Sequence, residues 1–123
     1  MRERIFEYVR ATYKSEPEYL WMRFPRYAVF RRPDNKKWYV LVMDVPKDRL
    51  GLRGGERVDL LNVKTDDPLS AELLAQREGF FKGYHISRGN WVSVLLDGTV
   101  PFDMICEMID LSFRAAAPKR RKA

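Results

Sequence analysis

Residues 80–116, FFKGYHISRGNWVSVLLDGTVPFDMICEMIDLSFRAA, decide how this chain folds. Phe80 to Ile86 and Trp91 to Leu96 have the apolar and aromatic content of strands, and Ser87-Arg88-Gly89-Asn90 between them reads as a turn, so the two form a hairpin. Asp97-Gly98 makes the next turn and Pro101 opens a helix. There Phe102, Ile105, Ile109, Phe113 and Ala116 recur as one apolar stripe, and Asp103 sits in the first turn, where it complements the positive helix end. A hairpin followed directly by an amphipathic helix calls for an antiparallel sheet with helices against it, because parallel pairing would need a long crossover between the strands.

Working back toward the N-terminus, Asp66-Asp67-Pro68 supplies a cap and a first-turn proline for a short helix through Leu69, Leu73 and Leu74, closed by Gly79. Val58 to Val63 reads as a strand, and the charged, glycine-containing Pro46 to Glu56 as a surface loop. Tyr27 to Arg32, the polar Pro33-Asp34-Asn35-Lys36-Lys37 and Trp38 to Val45 have the form of a second hairpin. Both alternating sets of the latter strand are apolar, which predicts burial on two sides and a place inside the sheet. Tyr19 to Met22 has the composition of a short strand. Ile5, Phe6, Val9 and Tyr13 form the apolar stripe of a first helix that Pro17 ends. The predicted fold is α+β and two-layered, an antiparallel sheet with helices on one face in the order α-β-β-β-β-α-β-β-α.

The 123 residues, 46% of them hydrophobic, suffice for one core, predicted over 1–117 with a basic, flexible tail at 118–123. No apolar run is long enough to cross a bilayer, and MRERIFEYVR lacks the apolar stretch of a signal peptide, so no membrane association and a cytoplasmic location are expected. The single Cys106 excludes an internal disulfide. The net charge of +6 is concentrated in Lys119, Arg120, Arg121 and Lys122; without them 19 basic residues face 17 acidic ones. The tail can attract any polyanion without reading sequence.

Catalytic and metal chemistry find few residues to use. His85 and Cys106 are each the sole member of their type, so no metal site is expected, and Cys106 reads as a small buried hydrophobe beside Ile105. Gly51, Gly54 and Gly55 lack the spacing of a phosphate loop and precede a strand, so no cofactor is expected. The carboxylates show no acid/base pairing, and the reading is non-enzymatic. What remains is cationic charge among aromatics: Arg23, Arg26, Arg31, Arg32, Lys36 and Lys37 around Phe24, Tyr27 and Phe30, then Lys82, Tyr84, His85, Arg88, Asn90 and Trp91 in the other hairpin. Such tips can hold a phosphate backbone, and equally can solvate the ends of a sheet.

The chain resembles the MmcQ/YjbR family of double-wing DNA-binding proteins. The resemblance is carried by Tyr27-Ala28-Val29-Phe30-Arg31, Pro33-Asp34-Asn35, Trp38 with Met43-Asp44-Val45-Pro46, Leu61-Asn62-Val63-Lys64, Asp67-Pro68 and Gly83-Tyr84-His85. Its densest part is Trp91-x-x-Val94-x-Leu96-Asp97-Gly98-x-Val100-Pro101 with Ile109-Asp110-x-Ser112-Phe113. Where the family commonly has Met-Asn-Lys-x-His-Trp after Tyr-His, this chain has Ile86, Ser87, Arg88, Gly89, Asn90 and Trp91, keeping the cation and replacing the histidine with Asn90. The resemblance implies a fold similar to secretion chaperones and double-stranded DNA as a partner. The expected contacts are Arg31, Lys36, Lys37, His85, Arg88 and Asn90 at the tips and Lys119, Arg120, Arg121 and Lys122 in the tail. The alternative is a non-enzymatic interaction module that forms a homodimer or captures a protein partner.

Overall fold

The computed structural model describes residues 1–84 and 89–118; the expectations placed on His85, Arg88, Lys119, Arg120, Arg121 and Lys122 lie outside the described residues. The chain runs α1 (Arg2–Tyr13), β1 (Ala28–Arg31), β2 (Trp38–Pro46), a 3-10 turn (Lys47–Leu50), β3 (Arg57–Lys64), α2 (Pro68–Leu74), β4 (Phe80–Lys82), β5 (Trp91–Leu95) and α3 (Phe102–Ala115). The strands form one sheet in the order β1-β2-β3-β5-β4, every pairing antiparallel. The α+β architecture read from the sequence is the one observed.

One expected strand is not formed. Tyr19 to Trp21 is irregular and Met22 enters a turn, and the ladder contact nearby is a bridge between Glu18 and Val29. Backbone bonds from Phe24 N to Trp21 O (3.1 Å) and from Tyr27 N to Phe24 O (3.0 Å) curl the segment, and Pro25 has no N–H for a ladder. The order is therefore α, three β, α, two β, α. The first helix has its expected span, whereas the second stops before Gly79. α1 ends at left-handed Lys14 (φ 57°), before Pro17, and α2 ends at Leu74, with Asp67 accepting the Ser70 amide at 2.8 Å as its cap.

Strand alternation sorts the core into two layers. Phe30, Val40, Val42, Leu61, Val63 and Val94 face Ile5 and Val9 of α1 and Ile105 and Ile109 of α3. Val29, Leu41, Met43, Val45, Leu60 and Leu95 point the other way, under Trp21, Trp38, Leu50 and Leu52, so non-helical chain closes the second face. This explains why β2 is apolar on both alternating sets: it lies inside the sheet with a core on each side. A bulge between β1 and β2 pairs Phe30 with Val40 but Arg31 with Trp38. The extra residue, Tyr39, turns to the helix side and packs edge-on against Tyr13 (5.8 Å) and Phe113 (5.0 Å).

Buried polar groups tie the layers together. The Ser112 hydroxyl of α3 donates to Tyr39 O at 2.5 Å and accepts the Lys64 amide at 2.7 Å, fixing the helix to the ends of β2 and β3. Within the second layer, Ser93 Oγ donates to Asn62 Oδ1 (2.5 Å), and Asn62 Nδ2 donates to Leu41 O (3.3 Å). Among the described residues no helix is long and apolar enough to cross a membrane.

Candidate nucleic-acid interface

Strand direction decides where the two turns emerge. Arg31 pairs with Trp38, Val40 with Val63, Lys64 with Trp91 and Lys82 with Val92. The end of β1, start of β2, end of β3, start of β5 and end of β4 therefore share one end of the sheet. Both turns leave from that end, three strand spacings apart, or about 14 Å.

The first turn is rigidly held. Arg32 donates from Nε and Nη2 to the Asp34 carboxylate (both 2.9 Å) and from Nη1 to Phe113 O (2.6 Å), and its guanidinium stacks 3.8 Å from the Phe113 ring centre. Asn35 Nδ2 donates to Ala116 O (2.8 Å) while its Oδ1 accepts the Lys37 amide (3.0 Å). The turn thus satisfies carbonyls that the C-terminus of α3 cannot satisfy internally. The Arg32 hydrogen bond holds the Asp34 carboxyl below its ordinary range, so these two charges offset each other. Lys36, at φ 61°, and Lys37 are exposed and make no ion pair among the described residues. Because α3 ends against this turn, the root of the basic tail at Pro118 follows from the same end.

The second turn starts differently from a plain hairpin. β4 stops at Lys82, and the Gly83 amide reaches Trp91 O at 3.2 Å. A Cβ on Gly83 would lie 2.9 Å from the Trp91 Cβ, so only glycine permits the crossing. The chain then folds onto the second face, the Tyr84 amide donating to Ser93 Oγ at 2.9 Å. Asn90 returns it to the sheet: its Nδ2 donates to Thr65 O (3.1 Å), and its carbonyl accepts from Thr65 N (2.7 Å) and Oγ1 (2.9 Å).

The expected contact residues are therefore brought together unequally. Lys36 and Lys37 project from the first turn, and exposed Lys82 and exposed Lys14, just past α1, share the same end. Arg31 lies inside β1, its Nε 3.1 Å from Glu18 Oε2 in an ion pair without hydrogen-bond alignment and its guanidinium beside Trp38. Asn90 has its amide donor engaged in pinning the turn. Sequence reasoning missed Arg32 and Asn35 as the anchors of the turn; the signal was the Pro33-Asp34-Asn35 match itself, whose asparagine has both a turn amide and a helix carbonyl to satisfy.

At the opposite end of the sheet four cations among the described residues are held by carboxylates. Asp44 takes Arg57 (2.8 Å) and Arg26 (3.7 Å), Asp59 takes Arg2 (3.2 Å) and Arg26 (3.3 Å), and Glu56 takes Lys47 (2.9 Å). Burial, with Asp110 and Asp103 nearby, pushes the Cys106 thiol up, away from thiolate. Among the described residues no three His, Cys, Asp or Glu converge as a metal site.

One titrating cluster joins α1 to α3. The Tyr8 hydroxyl donates to Asp110 Oδ1 at 2.6 Å, and the Tyr13 hydroxyl donates to the same oxygen. Burial first, then the hydrogen bond to Asp110, pushes Tyr8 up to about 12 and Tyr13 higher still. A raised folded-state value means that the native chain keeps these protons when the unfolded chain has lost them. Their contribution is complete below about pH 10 and disappears as pH rises through 12. Asp110→Asn is expected to flatten the fall in stability between about pH 10 and 12, measured by urea unfolding across that range. An unchanged pH slope in the variant would remove Asp110 from the account.

The whole chain has recognisable relatives. Residues 10–115 match the YjbR family. An uncharacterised protein of Bacillus subtilis (strain 168), YyaQ, is 39% identical over 112 residues, covering 91% of this chain and 94% of its own. A crystal structure of a Pseudomonas syringae protein is 35% identical with a TM-score of 0.90, covering 95% of this chain and 99% of that one. A Deinococcus radiodurans protein with a DUF419 domain shares the fold at a TM-score of 0.68 and 23% identity, over 92% of this chain and 75% of that one. With the matched residues spanning the sheet, both turn regions and all but the first turns of α1, the chain belongs to the YjbR family.

Proposed function

We propose that the chain is a non-enzymatic, cytoplasmic DNA-binding protein that grips the duplex backbone through the end of the sheet carrying both turns. What supports this reading is the convergence of the two turns and the tail root on one end, where exposed Lys36 and Lys37 make no ion pair among the described residues, while Arg2, Arg26 and Arg57 at the far end are held by Asp44 and Asp59. A separation of about 14 Å matches the width of a major groove, about 12 Å, so Lys36 and Lys37 at the first turn and Lys82 at the end of β4 beside the second can meet phosphates on both strands. Such contacts fix position without reading bases.

The experiment is fluorescence anisotropy on a labelled duplex over a salt series. Lys36→Ala with Lys37→Ala is expected to weaken binding roughly 10- to 100-fold and to lower the log–log salt slope by about 2. Arg88→Ala in the same chain ended at 118 should weaken it further. Undiminished affinity in that combined variant would end the reading. A second reading, a protein-interaction module, draws on the exposed apolar Tyr19, Leu20 and Met22, the last 99% exposed. Concentration-dependent sedimentation lost on Met22→Ser would favour it.

A further inference from the structure

We infer that the second face of the sheet holds a binding site for a nucleotide unit, a planar base with an anionic phosphate, distinct from the basic end and independent of the DNA reading. The non-helical chain that closes this face leaves an open cleft of about 540 Å³ between the 21–27 segment and Tyr84. That volume falls within the range of small-ligand pockets, about 300–1,000 Å³. Trp21, Phe24 and Tyr27 form one wall: Phe24 and Tyr27 stack with centroids 4.6 Å apart and planes 18° from parallel, and Trp21 meets Tyr27 edge-on at 5.9 Å. Phe24 remains 44% exposed, presenting an aromatic ring to solvent beside a concavity.

The polar lining selects the sign of the ligand. Two guanidiniums, Arg49 and Arg57, line the cleft, and among the described residues no carboxylate does. Arg49 is exposed and makes no ion pair among the described residues. Arg57 is oriented by Asp44, whose carboxylate accepts from its Nε (2.8 Å) and whose carbonyl accepts from its Nη2 (2.7 Å), leaving Nη1 without a hydrogen bond among the described residues. A guanidinium with one edge anchored and another open suits phosphate recognition, and stacked aromatics suit a base face. A neutral apolar peptide would leave Arg49 without a counter-charge and the open edge of Arg57 without an acceptor.

The same unit exists as a free mononucleotide and as an unpaired base in a strand, and the test separates them. Tryptophan fluorescence and calorimetry would be followed with AMP, GMP, CMP and UMP, with the matching nucleosides, and with a short single-stranded oligomer. Saturable mononucleotide binding is expected, weakened about tenfold or more by Arg49→Ala and by Phe24→Ala, and unchanged by Lys36→Ala with Lys37→Ala. Circular dichroism would confirm that the exposed-site variants fold. Oligomer binding more than about tenfold tighter than mononucleotide, with the same sensitivity to Arg49, identifies the strand as source; comparable affinities identify the free nucleotide. No saturation by any probe at about 10 mM, nucleosides binding as well as nucleotides, or affinity indifferent to Arg49 and Phe24 would each overturn the assignment.

Discussion

Tyr39→Ala is expected to cost about 4 kcal/mol of folding stability, lowering the thermal midpoint by about 15 °C, whereas Tyr39→Phe should cost only about 1 kcal/mol. The side chain is fully buried where the bulge, α1 and α3 meet. Truncation removes the ring and leaves a cavity between Tyr13 and Phe113, which themselves stack at 4.0 Å and so cannot both collapse into it. Phenylalanine keeps the ring and loses one bond, from the Tyr39 hydroxyl to Ser15 Oγ at 2.7 Å, while Ser15 still donates to Arg31 O at 3.1 Å. Urea unfolding of both variants checks this; equal losses would mean that the hydroxyl, not the ring, secures the first turn. If the turn's lysines bind DNA, Tyr39→Phe should leave that binding intact, since Arg32 and Asn35 still hold the turn to α3.

The elements legible in the sequence were those whose stabilising contacts are local or periodic. The α3 stripe and the Asp67-Pro68 start of α2 announce themselves because the interactions that form them lie within a few residues. The two-sided burial of β2 was legible because both alternating sets are apolar, although what covers its second side was not. That layer is closed by Trp21, Leu50 and Leu52, from segments with no periodicity. The mistaken strand at Tyr19 to Met22 has the same cause: its composition suits a strand, but the backbone bonds from Phe24 to Trp21 and from Tyr27 to Phe24 win. At the candidate site, the shared end of the two turns follows from strand order, and strand order depends on β5 inserting between β3 and β4, a long-range pairing that no local pattern encodes. Which cations remain available depends on ion pairs across the sheet. Arg31 and Lys36 look equivalent as letters, yet Glu18 meets only the first.

Asp59→Ala is expected to destabilise the fold by about 3 kcal/mol through the charge that it leaves behind. Register places Asp44 and Asp59 directly opposite each other on adjacent strands, an unfavourable like-charge pair unless cations intervene. Three do: Arg57 on Asp44, Arg2 on Asp59, and Arg26 within reach of both. Arg2 is the critical member, because its side chain is only 9% exposed and its remaining contacts are a bond from Nη1 to Arg26 O (2.6 Å) and the Phe6 ring. Without Asp59 it is a buried cation that has lost the carboxylate bonded to it. The double variant Arg2→Met, Asp59→Ala should therefore be more stable than Asp59→Ala alone, and the difference, measured by denaturant unfolding, gives the coupling directly. Additive losses would show that the pair is not coupled. Acid sensitivity should reveal the same network from Asp44: burial pushes its carboxyl up, but the Arg57 hydrogen bond and the charges of Arg57, Arg26 and Arg2 outweigh this and hold it below its ordinary value. A lowered folded-state value means that the contribution is complete above about pH 4 and is lost as pH falls further, so Arg57→Ala should blunt the acid-induced loss of stability below that point.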